Sequence, residues 1–291
     1  MEKLIHFLQQ HENWANGLII SAIIVGTMCY FSQETDPQKH YQKGISLFTT
    51  AHNHEAYGDA VTYFDNAIAL NPTYAEAYYR RGLAKHSFYA MALLVNKDEI
   101  LADYNKSIAL NPNLAEAYYW RALAHNALQI YDTHNCENLI AYEVSVKDLQ
   151  KAIALKPNYT DAIHLLGHWQ CCRTDYQKAL ENLNLALKLG NFYNGDYDKI
   201  EALKDLAKAY SKLKKYQQAL KTYNTLIDLA KEKYPDHLDT NLVELYEGRI
   251  QTNKHLGYLD AIYLDELQIE KIKEKERYQD YNMPPSPAPG I

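Results

Sequence analysis

Two hydrophobic patterns divide the chain. Residues 13–33, NWANGLIISAIIVGTMCYFSQ, carry no charge at all, whereas from Asp36 onward apolar and polar positions alternate in a helical unit that recurs. At about 1.5 Å rise per residue the uncharged run matches the roughly 30 Å hydrocarbon layer of a bilayer. Trp14 at one end and Tyr30 with Phe31 at the other mark where aromatic rings favour the water boundary. A single transmembrane anchor at 13–33, behind an N-terminal flank at 1–12, is the expectation; a buried core helix and the cleaved leader of a secreted protein are the alternatives. Against cleavage, MEKLIHFLQQHE is nearly neutral and no A-x-A-like site follows the apolar run. Met28 before Cys29 argues against a lipoprotein site. Lys3 precedes the run while Lys39 and Lys43 follow it, which tilts the soluble part towards the cytoplasm.

Beyond the run, AIALNPTYAEAYYRRGLAKH at 67–86 returns as SIALNPNLAEAYYWRALAHN at 107–126 and as AIALKPNYTDAIHLLGHW at 152–169. Each copy runs an apolar helix end into Pro72, Pro112 or Pro157, which punctuates a helix pair. Gly82, Ala122 and Gly167 then leave room for a neighbouring helix. Leu166-Gly167, Tyr176, Ala179 and Ala186 at 160–191 resemble the tetratricopeptide repeat, as do Ala60-x3-Phe64 and Ala219-x3-Tyr223. The resemblance implies an all-α fold: a right-handed α-solenoid of about six helix pairs over 36–270, preceded by the single transmembrane helix. Extra residues near FYAMALLVNKDE and QIYDTHNCENLIAYEV read as longer helices or as added loops between the two helices of those units. Residues 271–291 read as a charged helix end and a disordered Pro-rich tail.

Composition agrees with helix: 47% of the 291 residues are apolar, with 11 Gly and 9 Pro. A net charge of −6 gives no basic footprint, so nucleic acid is not an expected partner. The four cysteines show no framework spacing, which favours a reducing compartment. The chain carries no phosphate-binding glycine loop, no H-E-x-x-H and no G-x-S-x-G, so neither an enzyme nor a cofactor is expected.

The resemblance also implies which residues face a concave, protein-binding groove, namely positions 5 and 9 of each first helix. Position 5 runs Tyr41, Tyr79, Tyr119, His164 and Lys204; position 9 runs Ile45, Leu83, Leu123, His168 and Lys208. Lys212 extends the lysine row by a turn. The complementary client is a protein segment with apolar anchors beside acidic residues, which suits assembly or targeting of a membrane complex. The paired lysine, asparagine and arginine clamp for acidic chaperone tails is not reproduced. His164, His168, Cys171 and Cys172 share one face. They are the candidates for the alternative, a metal-binding protein, but the repeat register explains the shared face without a metal.

Overall fold

The computed structural model describes residues 35–91, 96–126, 139–233 and 239–282. The expected span at 13–33, its flank and the Pro-rich end lie outside these residues. Among the described residues no helix is long and apolar enough to cross a membrane. The described residues form twelve helices and no strand: α1 Pro37–Thr50, α2 His54–Leu70, α3 Ala75–Met91, α4 Lys97–Leu110, α5 Ala115–Asn126, α6 Leu139–Leu155, α7 Thr160–Cys172, α8 Tyr176–Leu189, α9 Asp196–Lys212, α10 Tyr216–Lys233, α11 Asp239–Leu256 and α12 Leu259–Asn282. The chain divides into two units, the first ending at Pro112 and the second beginning at Asn113. Unit 1 packs α1 on α2, α2 on α3 and α3 on α4; unit 2 continues the same serial packing from α5 to α12.

Local chemistry sets the helix boundaries. Asp36 accepts a hydrogen bond from the Gln38 amide at 2.8 Å, with Pro37 opening α1, and Asn53 caps α2 by accepting from Ala56 at 2.9 Å. The prolines act one step earlier than the sequence suggests. Pro72 and Pro157 sit inside four-residue turns closed by Tyr74 N to Asn71 O (3.1 Å) and Tyr159 N to Lys156 O (3.0 Å). They therefore supply a fixed φ to the turn rather than the first residue of the next helix. Three turns from first to second helix in unit 2 share another device: Asp175 donates to Gln170 O, Lys215 to Tyr210 O and Tyr258 to Asn253 O, at 2.9, 2.9 and 3.1 Å. Each wraps the helix end around a left-handed residue, Thr174, Lys214 or Gly257.

Close approach and ion pairs then join the helices. A Cβ on Gly82 would lie 2.9 Å from the Tyr104 ring and one on Gly167 2.8 Å from Leu183, so both positions require the absent side chain. Three hairpins also carry a Tyr-x-x-Arg clamp. Arg81, Arg121 and Arg249 lie 5.3, 5.6 and 5.4 Å from the rings of Tyr78, Tyr118 and Tyr246, three residues earlier on the same helix. Each grips a buried carboxylate on the second helix through Nε, to Asp103 at 3.0 Å, Asp148 at 2.7 Å and Asp265 at 2.9 Å. Arg81 and Arg249 also reach back to the preceding second helix, to Asp65 at 2.6 Å and Asn224 at 2.7 Å.

Candidate protein-binding surfaces

In unit 1 the expected groove residues are largely consumed by packing. Tyr79 and Leu83 are only 6% and 4% exposed, which corrects their expected groove exposure. Small residues at Gly44 and Gly82 admit Phe64 and Tyr104 so closely that the helices close up around these positions. Tyr41 is half-buried, 5.9 Å from the Phe64 ring and 4.9 Å from Tyr74, and Ile45 packs on the same Ala60–Phe64–Ala84 core.

In unit 2 the first helices present a different set. Tyr119 and Leu123 on α5 are half-buried, with the Tyr119 ring 5.2 Å from Trp120 and 5.1 Å from Tyr159. On α7, His164 meets Phe192 edge-on at 5.7 Å, and its Nε2 is sealed from solvent with no hydrogen-bond partner. Burial pushes its pKa down to about 4. His168, one turn on, places Nδ1 2.7 Å from Asp205 on α9. Burial alone would raise the Asp205 carboxyl, but the hydrogen bond and charge of His168, with His164 and Lys208 nearby, hold it below its ordinary value.

The cysteines follow different courses. Burial, reinforced by the charge of Asp205, pushes the Cys171 thiol up to about 12, and its Sγ donates to the Asp205 carbonyl at 3.6 Å. Cys172 is disulfide-bonded. Burial therefore disfavours the thiolate form of Cys171. Among the described residues no group of three or more His, Cys, Asp and Glu side chains is arranged to hold a metal.

The expected lysine row is divided. Lys204 is half-buried between Glu201 at 3.3 Å and Glu244 at 3.7 Å. Burial opposes its charge, but the two glutamates outweigh that and raise its pKa. Lys208 and Lys212 are exposed.

One cluster was not expected from the sequence. The connection GNFYNG between α8 and α9 is shaped by Gly190 and Gly195, at φ 70° and 60°. Phe192 enters the core, 9% exposed, while Tyr193 stays 65% exposed and stands edge-on to Trp120 at 6.1 Å. The Tyr193 amide donates to Asp161 on α7 at 2.8 Å, and the Asn194 amide to Asp198 on α9 at 3.0 Å, so the middle of the loop is tied to both neighbouring helices. Two aromatic residues among glycine and asparagine were the available signal.

Helices packed serially in hairpins define a helical-repeat protein. Residues 159–232, spanning α7 to α10, match the tetratricopeptide repeat family. No curated protein sequence matches the chain. Among solved structures, the fold is similar to that of Pseudomonas aeruginosa PilF, at 15% identity over 84% of this chain and 97% of that one, with a TM-score of 0.57. PilW, a type IV pilus biogenesis factor, gives 16% identity over 81% and 92%, with a TM-score of 0.55. The Cut9–Hcn1 hetero-tetramer of the APC/C gives 16% over 87% and 43%, again with 0.55.

Proposed function

We propose that the chain is a membrane-tethered, non-enzymatic adaptor that captures a protein segment on the first-helix face of unit 2. The observation that carries it is the aromatic cluster of Tyr119, Trp120 and the exposed Tyr193, the last on a loop tied to α7 through Asp161. Large aromatic side chains with few rotors give contact area at low ordering cost. Exposed Lys208 and Lys212 on α9 favour a client with acidic residues beside its apolar anchors. The match to tetratricopeptide repeats, a family that mediates protein–protein interactions, supports the same reading.

The tether is the uncharged run at 13–33, which confines capture to a membrane surface and raises the effective concentration of membrane-bound clients. Such an arrangement serves assembly or targeting of a membrane complex. The flanking lysines favour a cytoplasmic solenoid; the Cys172 disulfide weighs the other way, since disulfides persist in oxidising compartments. Protease access to the solenoid in sealed vesicles of known sidedness decides between them.

A photo-crosslinking residue at Tyr193 of the full-length chain, activated in native membranes, tests the capture surface. The expected result is a discrete adduct that is absent when the probe stands at exposed Lys147 on α6 and is lost in a folded Trp120→Ala variant. Equal labelling from both positions would place the client elsewhere.

A further inference from the structure

A row of cations lines the edge formed by the turns from first to second helices of unit 2. From Leu206 to Ile227 the chain holds five lysines and no carboxylate, although its net charge is −6. Lys212, Lys214 and Lys215 stand at the α9–α10 turn, Arg173 at the α7–α8 turn and Lys254 at the α11–α12 turn. Contacts bring these turns side by side. Gln217 donates to the Tyr258 hydroxyl at 3.2 Å, Tyr216 stacks on His255 at 4.3 Å, and Tyr176 and Leu213 pack on one core cluster. All five cations are solvent-accessible, with Lys215 half-buried, and none makes an ion pair among the described residues. Of the carboxylates on this edge, Asp175 is neutralised by Lys178 at 2.7 Å, and Asp260 stands exposed at the start of α12.

Two further features give the edge its chemistry. Lys214 adopts φ 58°, a left-handed conformation in which a lysine is strained, where the two equivalent turns use Thr174 and Gly257. Beside Lys254, Tyr258 and Leu259 are 45% and 74% exposed, and Tyr263, one turn along, is 67% exposed. Lysines flanked by exposed Tyr and Leu match the composition of the headgroup boundary of a bilayer, where the cations meet lipid phosphates and the apolar groups enter the acyl margin.

We propose that this turn edge of unit 2 docks on the anionic headgroups of a lipid bilayer. The choice of lipid over an acidic protein rests partly on the tethered reading, which puts the chain at a membrane, and partly on the row itself, which adds exposed apolar residues. Clusters of four to eight basic residues bind anionic membranes, each contributing about fivefold, and the attraction falls off within about 10 Å at 0.1 M salt.

The experiment uses the purified full-length chain with phosphatidylcholine vesicles, with or without phosphatidylserine. Amine acylation is read lysine by lysine by mass spectrometry. Lys212, Lys214 and Lys254 should be protected on anionic vesicles, unprotected on neutral ones, and exposed again at about 1 M salt; Lys147 should label equally throughout. In the Lys212→Gln, Lys214→Gln, Lys215→Gln variant, the equilibrium constant for edge contact, read from Lys254 protection, should fall about a hundredfold. Lys214→Gly alone should lower it about fivefold while leaving thermal stability equal or higher, because glycine relieves the left-handed strain. A chain that ignores neutral vesicles yet shows this pattern on anionic ones would sink the tether and support the edge. Equal labelling on both vesicle types overturns the proposal, as does protection by added polyglutamate alone, which would make the partner an acidic peptide.

Discussion

His164 and His168, one turn apart on α7, are held in different ways. His168 faces the Asp205 carboxylate, whereas His164 is enclosed without a hydrogen bond to Nε2. Burial lowers the pKa of His164 from 6.5 to about 4, and burial does the same to His86 in unit 1. Because the unfolded chain takes up these protons first, stability is fully present above about pH 6.5 and is lost as pH falls towards 4. Asp205, with its folded value depressed, adds a loss in the same direction only when pH falls through the carboxylate range. Urea unfolding at a series of pH values should show stability declining across that window by on the order of 3 kcal/mol for each buried histidine, since a tenfold difference in proton affinity between folded and unfolded chains is worth about 1.4 kcal/mol. A His164→Phe variant should have a clearly shallower slope between pH 6.5 and 4.5; an unaltered slope would mean that His164 titrates normally. The shared face of these residues was legible from their spacing. Their environment was not, because Phe192 and Asp205 come from elements 28 and 37 residues further on.

The Tyr-x-x-Arg clamps belong to the scale of the helix pair. Asp265 is 3% exposed, so removing its partner would strand a carboxylate away from water. Arg249→Ala should therefore cost about 3 kcal/mol, measured by denaturant unfolding, whereas Arg249→Met with Asp265→Leu should come close to neutral because no charge is left buried. If the single variant costs as little as an exposed surface pair, about 0.5 kcal/mol, the clamp contributes nothing. Helix pairs, their Asn-Pro or Lys-Pro boundaries and the close approaches at Gly82 and Gly167 were all readable from the recurring units. The clamp was not, since Arg81 and Asp103 are 22 residues apart and each looks like an ordinary surface charge in its own helix. Nor could the burial of Tyr79 be read. Its position in the repeat indicated a groove, but how far neighbouring helices cover that position depends on their approach distance.

At the scale of the whole molecule, repetition made the fold legible: about six helix pairs were expected, and the twelve described helices form six hairpins. The proposed membrane tether rests on the uncharged run at 13–33, so its test uses intact chains. Full-length protein in isolated membranes should resist both high-salt and alkaline washes, whereas a chain beginning near Gln33 should be released or never associate. Release of the full-length chain by alkali would make residues 13–33 a peripheral or packed segment. Within unit 2 the clamps are unevenly spaced. Arg121 fastens α5 to α6, and Arg249 fastens α11 to both α10 and α12, but the corresponding positions on α7 and α9 are Leu166 and Leu206. There the hairpin α7–α8 is joined by an apolar core that includes Ile163, Leu180 and Leu183, with Leu183 close against Gly167, and by an amide pair, Asn182 to Gln170 at 2.7 Å. Apolar contacts are non-directional and let helices slide a little, while a forked guanidinium fixes both distance and angle. In mechanical terms unit 2 is a spring with riveted ends and a compliant centre. A pull transmitted through it would be taken up first as sliding within the apolar α7–α8 hairpin, before either end hairpin gives way.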